Sequence, residues 1–239
     1  MASAIVIGGN GRMGRLVREE LLARGFDVVG SYDVDNIDEL DAAAPAADVA
    51  VDFSAPASLP HTLAYARRTG AAVVSGTTGL SPEQLDELRA LGEKNRVIWA
   101  SNYSLGVAAL RRATALVART LAGWDVEIVE THHNQKVDAP SGTAKALLAA
   151  VDPTGERPVV GGREGIVGAR VPGEIGMHAV RGGTVAGTHE VHFFGTDEEV
   201  CLTHRATSRQ IFVTGAVAAA ARLLAREPGF YDFDTLMFG

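Results

Sequence analysis

A glycine-rich turn, Gly9-Asn10-Gly11-Arg12-Met13-Gly14, falls between an apolar run, Ile5–Ile7, and a helical pattern, Gly14–Arg24. Gly8 stands immediately before it. Strand, glycine turn and helix in this order specify the opening of a βαβ unit that receives a pyrophosphate. The turn is tight, the backbone must approach the phosphates without a Cβ in the way, and the helix must pack close to the strand. The first turn of the helix then offers N–H groups and a partial positive charge to the anion. Gly8, Gly9, Asn10, Gly11, Arg12 and Met13 are therefore the expected phosphate-side contacts. An acid is expected at the end of the second strand, about 20 residues on, and Asp33 lies 19 residues after Gly14. Its carboxylate suits ribose hydroxyls and repels a 2′-phosphate. No Lys or Arg occurs from Ser31 to Leu40, so NADH is the expected cofactor and NADPH the second choice. Arg12 is the one nearby cation able to reach the adenosine end.

The pattern continues as alternating strands and helices. Phe26–Tyr32, Val49–Phe53, Ala71–Ser75 and Arg96–Ala100 read as strands, and Leu59–Thr69 as a helix. Ser81 and Pro82 supply an N-cap and a first helical position for another helix. Repeated β-α-β units imply an α/β fold, a Rossmann-like doubly wound parallel sheet. Beyond residue 103 the pattern changes. Val107–Leu121 reads as a helix and Asp125–Thr131 as a strand; residues 151–173 form a Gly- and Pro-rich exposed loop. Glu174–Val180, Gly187–Phe194 and Val200–Ala206 read as strands with turns such as Gly195-Thr196-Asp197. These make a second, α+β domain on a mixed or antiparallel sheet. Ile211–Arg226, an Ala-rich helix, fits either lobe by pattern alone. The division expected is 1–103 plus 210–239 for dinucleotide binding, and 104–209 for substrate binding and oligomerisation.

The densest chemistry lies in Glu130-Thr131-His132-His133-Asn134-Gln135-Lys136-Val137-Asp138-Ala139-Pro140-Ser141-Gly142-Thr143. A strand ends in two histidines, whose side chains point to opposite faces if the strand continues. Lys136 adds a positive charge. Ser141-Gly142-Thr143 precedes an apolar helical pattern (Ala144, Leu147, Leu148, Val151), so it marks a helix N-terminus suited to a carboxylate. A histidine donates a proton near neutral pH. Together these form an anion cradle with a proton donor. Taken singly, each element has a plainer reading: a polar strand end, an ordinary cap, a solvated lysine. Neighbouring histidines on a strand rarely converge on a metal, so no metal is expected.

This segment closely resembles the signature of the 4-hydroxy-tetrahydrodipicolinate (dihydrodipicolinate) reductase family. Gly11-Arg12-Met13-Gly14, Val51-Asp52-Phe53-Ser54, Gly76-Thr77-Thr78-Gly79, Ala100-Ser101-Asn102-Tyr103-Ser104, Thr203–Arg209 and Gly215-Ala216 are also similar to the family's pattern. The resemblance implies His132 as the catalytic acid, Lys136 as a proton donor and partner for substrate charge, and His133 as a substrate contact. It implies that Ser141, Gly142 and Thr143 hold a carboxylate. Gly76, Thr77, Thr78 and Ala100, Ser101, Asn102, Tyr103 would touch the cofactor, with Ala100–Ser104 acting as a hinge for lobe closure. Arg209 would stand at the domain junction. The implied reaction is reduction of a cyclic imine dicarboxylate by hydride transfer, in a homotetramer whose β-rich lobes pack together. Asp33-Val34-Asp35 departs from relatives that carry a basic residue after the ribose-binding acid.

Composition narrows the alternatives. A net charge of −7 gives no electrostatic case for nucleic acid or an anionic membrane. One cysteine, Cys201, excludes an internal disulfide and a zinc site built on cysteines. No secretory signal or bilayer-spanning run is read, so a cytoplasmic protein is expected. Two other readings stay open on residues alone: a Rossmann dehydrogenase of another small carboxylate, and a non-enzymatic dinucleotide sensor. Cys201 within a strand argues against a thioester mechanism that needs an exposed thiolate.

Overall fold

The structure is a computed structural model describing residues 1–239. The chain forms two compact units, Met1–Leu105 with Gln210–Gly239, and Gly106–Arg209.

In the first unit, β1 (Ser3–Ile7) leads through the glycine turn into α1 (Arg12–Ala23), then β2 (Asp27–Tyr32), α2 (Glu39–Ala42) and β3 (Val49–Asp52). A 3-10 turn at Pro56–Ser58 runs into α3 (Leu59–Thr69), followed by β4 (Ala72–Ser75), α4 (Pro82–Leu91) and β5 (Arg96–Trp99). In the second unit α5 (Leu105–Thr120) precedes β6 (Asp125–His132), α6 (Gly142–Val151), β7 (Val159–Val160), β8 (Ile175–Arg181), β9 (Gly187–Phe194) and β10 (Glu199–Ala206). The chain then returns to the first unit as α7 (Gln210–Leu223), β11 (Gly229–Tyr231) and α8 (Phe233–Phe238).

The first sheet has the order β11-β5-β4-β3-β1-β2, parallel throughout. Its central strands read as unbroken apolar runs because both faces are covered. α1 and α7 pack on one side; α2, α3 and α4 pack on the other. One face buries Ile5, Ile7, Ala50 and Tyr65, continuing through Leu63, Val73, Leu88 and Val97. Fully burying such side chains contributes roughly 1.5–3 kcal/mol each. α4 opens with the expected cap: the Ser81 hydroxyl accepts from Gln84 N–H, and Gln84 reciprocates to Ser81 N–H. The strand order reverses between β1 and β3, which is where open α/β sheets bind their ligands.

The second sheet has the order β10-β9-β6-β8-β7. β6 inserts between β8 and β9, antiparallel to β9 and parallel to β8, so the three later strands are not a simple meander. α5 and α6 bury the face bearing Val126, Ile128, Ile175, Met177, Val191 and Phe193. The long loop after α6 is largely exposed but is pinned. Arg170 Nη2 donates to Val126 O at 2.9 Å and Glu174 O at 2.8 Å, and Arg163 pairs with Glu174 at 2.6 Å. It also holds the short strand β7, which its composition concealed.

Candidate active site

The phosphate-binding turn follows from close backbone contact. Gly8 has φ +81°, and a Cβ there would lie 2.6 Å from Phe53 O. A Cβ on Gly14 would lie 2.1 Å from Gly8 O, which is why the helix can sit so close to the strand only with glycine. Gly8 and Gly9 N–H both donate to Tyr32 O, at 2.8 and 3.1 Å, tying the turn to the end of β2. Gly11 is the N-cap of α1 with no side-chain cap, and no acid occupies the first helical turn. Nothing there competes with an incoming phosphate. Asn10, Gly11 and Arg12 are exposed, Met13 half-buried and Gly9 buried. Asp33 directly follows β2, and its Oδ2 accepts from Asn10 N–H at 2.9 Å, which joins the ribose-side acid to the glycine turn. The glycine cradle, the uncapped helix end and the acid together fit a dinucleotide.

The neighbouring strand ends are organised by Asp52, a residue that motif reasoning left without a role. It is 1% exposed. Its Oδ1 accepts from Ser54 N–H at 3.0 Å, Ser54 Oγ at 2.5 Å and Thr77 Oγ1 at 3.0 Å, and its Oδ2 from Thr62 Oγ1 at 3.2 Å. Burial pushes its carboxyl above the ordinary range, against the pull of these hydrogen bonds. The Thr77 hydroxyl is thus committed inside the protein, whereas Gly76 is half-buried and Thr78 exposed. Ser101 is exposed, and Asn102 Oδ1 accepts from Ser104 N–H at 2.8 Å. Ala100 N–H donates to Ser75 O at 3.2 Å. The Tyr103 ring is buried against Phe53 and Phe233, and its hydroxyl donates to Ser75 O at 2.8 Å. The phenol thus fastens strand ends.

The second unit gathers the histidine segment at one end of its sheet. His132 closes β6, and its Nδ1 lies 2.5 Å from Glu130 Oε2. Glu130 is fully buried. Arg181 on β8 binds both its oxygens, Nη1 to Oε2 at 2.9 Å and Nη2 to Oε1 at 2.8 Å, and Ser141 N–H donates to Oε1 at 3.1 Å. Burial alone would raise the Glu130 carboxyl, but Arg181, His132 and the Ser141 N–H outweigh it and hold it below the ordinary value. A carboxylate fixed on Nδ1 places the proton there and leaves Nε2 as the exchanging nitrogen. A Cβ on Gly187 would come within 3.0 Å of that Nε2, so glycine keeps the space beside it.

Ser141 is a buried part of the cradle. It is 2% exposed. Its N–H is taken by Glu130, and its hydroxyl caps Ala144 N–H at 3.2 Å and meets His189 Nε2 at 3.1 Å. Ser141 therefore supports the cradle, whose open edge is exposed Gly142 and half-buried Thr143 at the start of α6. His189, opposite Glu130 on β9, is 4% exposed and stacks edge-on with His132 at 5.1 Å. Burial, then the charge of His132, lowers its pKa to about 4. Lys136 is half-buried and pairs with Asp138 at 2.7 Å, while Arg181 also donates to Asp138 O at 2.6 Å. His133 is half-buried, and its carbonyl accepts from Lys136 N–H at 3.2 Å. Glu130, Arg181, Gly187 and His189 were missed as site residues. Glu130 alone carried a signal, an acid two positions before His132 on the same strand face; the others are 49 or more residues away from it in sequence.

Cys201 lies on β10 as expected, but it is exposed. Its side chain lies on the uncovered face of the sheet, alternating with Val200 and Leu202 on the packed face, so membership of the sheet does not bury it. The strand position therefore does not argue against thiolate chemistry; its sulfur meets His192 Nε2 at 3.8 Å and Thr203 Oγ1 at 3.4 Å.

A parallel sheet with a glycine cradle, joined to a second unit bearing a histidine–carboxylate pair beside a helix N-terminus, defines a dinucleotide-dependent oxidoreductase. Residues 2–103 match the model of the dihydrodipicolinate reductase N-terminus and residues 106–237 that of the dihydrodipicolinate reductase C-terminus. The chain belongs to the dihydrodipicolinate reductase family. It is 43% identical to 4-hydroxy-tetrahydrodipicolinate reductase of Akkermansia muciniphila, over 99% of this chain and 98% of the relative. Identity to the enzyme of the same name from Exiguobacterium sp. is 38%, over 97% of this chain and 94% of the relative. The fold matches dipicolinate-bound dihydrodipicolinate reductase from Paenisporosarcina sp. TG-14 with a TM-score of 0.78 at 24% identity, covering 99% of this chain and all of the other. No helix is long and apolar enough to cross a membrane.

Proposed function

We propose that this chain reduces 4-hydroxy-tetrahydrodipicolinate to tetrahydrodipicolinate, on the route to diaminopimelate and lysine. The observation that carries the assignment is the Glu130–His132 pair beside the N-terminus of α6, in a chain matched to the family in both halves. In the balanced reaction the ring gains a hydride and a proton and loses water. A nicotinamide dinucleotide, its pyrophosphate held by Gly8, Gly9, Asn10, Gly11, Arg12 and Met13 and its adenosine ribose by Asp33, would supply the hydride when bound.

The remaining work falls to the chain's own side chains. Gly142 and Thr143 hold one substrate carboxylate through N–H groups and the threonine hydroxyl. Lys136 exchanges Asp138 for substrate charge. His132 moves the proton at Nε2, with Nδ1 tied to Glu130. His133 contacts the substrate. Gly76, Thr77, Thr78, Ala100, Ser101, Asn102 and Tyr103 complete the cofactor side, over strand ends braced by Asp52, the Thr77 hydroxyl and the Tyr103 phenol.

Asp33, with no cation from residue 31 to 40, favours NADH over NADPH. The enzyme works as a homotetramer in the cytoplasm, assembled through its second units. The test is transfer of label from deuterated NADH: deuterium in tetrahydrodipicolinate supports the assignment, and product without label refutes direct hydride transfer.

A further inference from the structure

On the sheet face opposite α5 and α6, nitrogen, sulfur and oxygen donors converge on the β9–β10 pair. Cys201 and His192 are direct cross-strand partners, and Glu190 stands two residues before His192 on the same face. Cys201 Sγ lies 3.8 Å from His192 Nε2, and Glu190 Oε2 lies 4.0 Å from the same nitrogen. On the other side of the ring, Nδ1 lies 2.5 Å from Glu199 Oε1. Phe194 stacks parallel to the imidazole at 5.7 Å and fixes its plane. The ligand atoms of His192, Glu199 and Cys201 all lie within 4.8 Å of one another.

We propose that His192 Nε2, Cys201 Sγ and Glu190 form a binding site for a borderline-soft divalent cation such as Zn²⁺, with Glu199 as the orienting carboxylate. The tautomer is the first argument. Glu199 can only accept, so Nδ1 carries the proton and Nε2 turns its lone pair toward the sulfur. A carboxylate on the distal nitrogen is the usual support of a metal-ligating histidine. Spacing is the second. Zn–S of about 2.3 Å and Zn–N of about 2.0–2.1 Å at a tetrahedral angle separate the two donors by about 3.6 Å, close to the observed separation. The donor set is the third: imidazole and thiolate select Zn²⁺ over Mg²⁺ or Ca²⁺. A single cysteine excludes a thiolate cage but leaves a mixed N, S and O set. All donors come from two adjacent strands of one chain, so the site needs no second copy. Binding releases the thiol proton to solvent and changes no oxidation state.

The test uses Co²⁺ and Zn²⁺ on the purified, assembled protein. Cys201 is the only thiol, so every thiolate signal reports on this site. Co²⁺ titration is expected to give a thiolate-to-cobalt charge-transfer band saturating at one ion per chain, and Zn²⁺ to displace it. Cys201→Ser and His192→Gln should each abolish the band, and Glu199→Gln and Glu190→Gln should each weaken affinity about tenfold or more. Reductase activity of Cys201→Ser should stay at the wild-type level and serves as the folding control. Absence of the band at millimolar Co²⁺, or a band that survives His192→Gln, overturns the proposal.

Discussion

Glu130 Oε2 lies 2.5 Å from His132 Nδ1, and the same buried carboxylate is clasped on both oxygens by Arg181. The histidine is thus held in one tautomer and one orientation by a group that does not itself reach the substrate. Glu130→Gln keeps the shape but removes the charge that compensates a protonated His132. The expected outcome is a fall in kcat of roughly 10²-fold with KM changed little. Steady-state kinetics of the variant check this split; a loss confined to KM would place Glu130 in substrate binding.

The same carboxylate predicts an acid sensitivity. Its folded pKa is below the unfolded value because Arg181, His132 and Ser141 N–H outweigh burial. A depressed carboxylate contributes stability that is fully present above the unfolded value of about 4.3 and is lost as pH falls through the folded value. Melting curves below pH 5 should therefore show a steeper acid loss for wild type than for Glu130→Gln. Glu130→Ala, which leaves Arg181 facing a cavity, should cost about 3 kcal/mol at neutral pH.

His189 acts over a higher window. Its folded pKa is about 4, lowered by burial and by His132, against about 6.5 when unfolded. Between these values the unfolded chain binds a proton that the folded chain refuses, so stability rises with pH from about 4 to 6.5. His189→Gln should flatten this rise in thermal melts between pH 4 and 7. An unchanged slope would mean that His189 takes up its proton in the folded state.

Removing the proton donors separates chemistry from binding. His132→Gln and Lys136→Ala should each lower kcat by about 10²–10⁴-fold while NADH binding, followed by fluorescence, stays nearly intact. Turnover near wild type in both variants would discard the proposed roles.

Asp33 is the test of cofactor choice. Asp33→Ser should raise the NADPH to NADH ratio of kcat/KM by about tenfold, because a ribose acceptor is lost together with a repulsive charge. Asp33 also accepts from Asn10 N–H, so NADH affinity should fall in the same variant. A ratio that does not move would assign specificity elsewhere, with Arg12 the next residue to change.

Local features were the legible ones. The Gly9–Gly14 turn, the Ser81 cap, the β6 strand and the start of α6 at Ser141 all depend on residues adjacent in sequence, and each is found where spacing put it. Features made by distant pairing were not. Nothing near Glu130 announces Arg181, 51 residues later, because the parallel register of β6 and β8 brings them together. The burial of Ser141 and Tyr103 was hidden for a related reason: a motif names the residue but not which of its atoms the fold has already used. β11 was missed because its three residues, Gly229–Tyr231, follow Pro228 and carry no period of their own. Cys201 shows the limit of the strand rule, since a sheet packed on one face leaves every second side chain exposed.

The most direct test generates the substrate in place from pyruvate and aspartate semialdehyde with the preceding synthase, then follows nicotinamide absorbance in the presence of this protein. The expected result is rapid oxidation that requires both proteins, is faster with NADH than with NADPH, and nearly vanishes with His132→Gln. No oxidation of either cofactor by folded protein that binds NADH would contradict it.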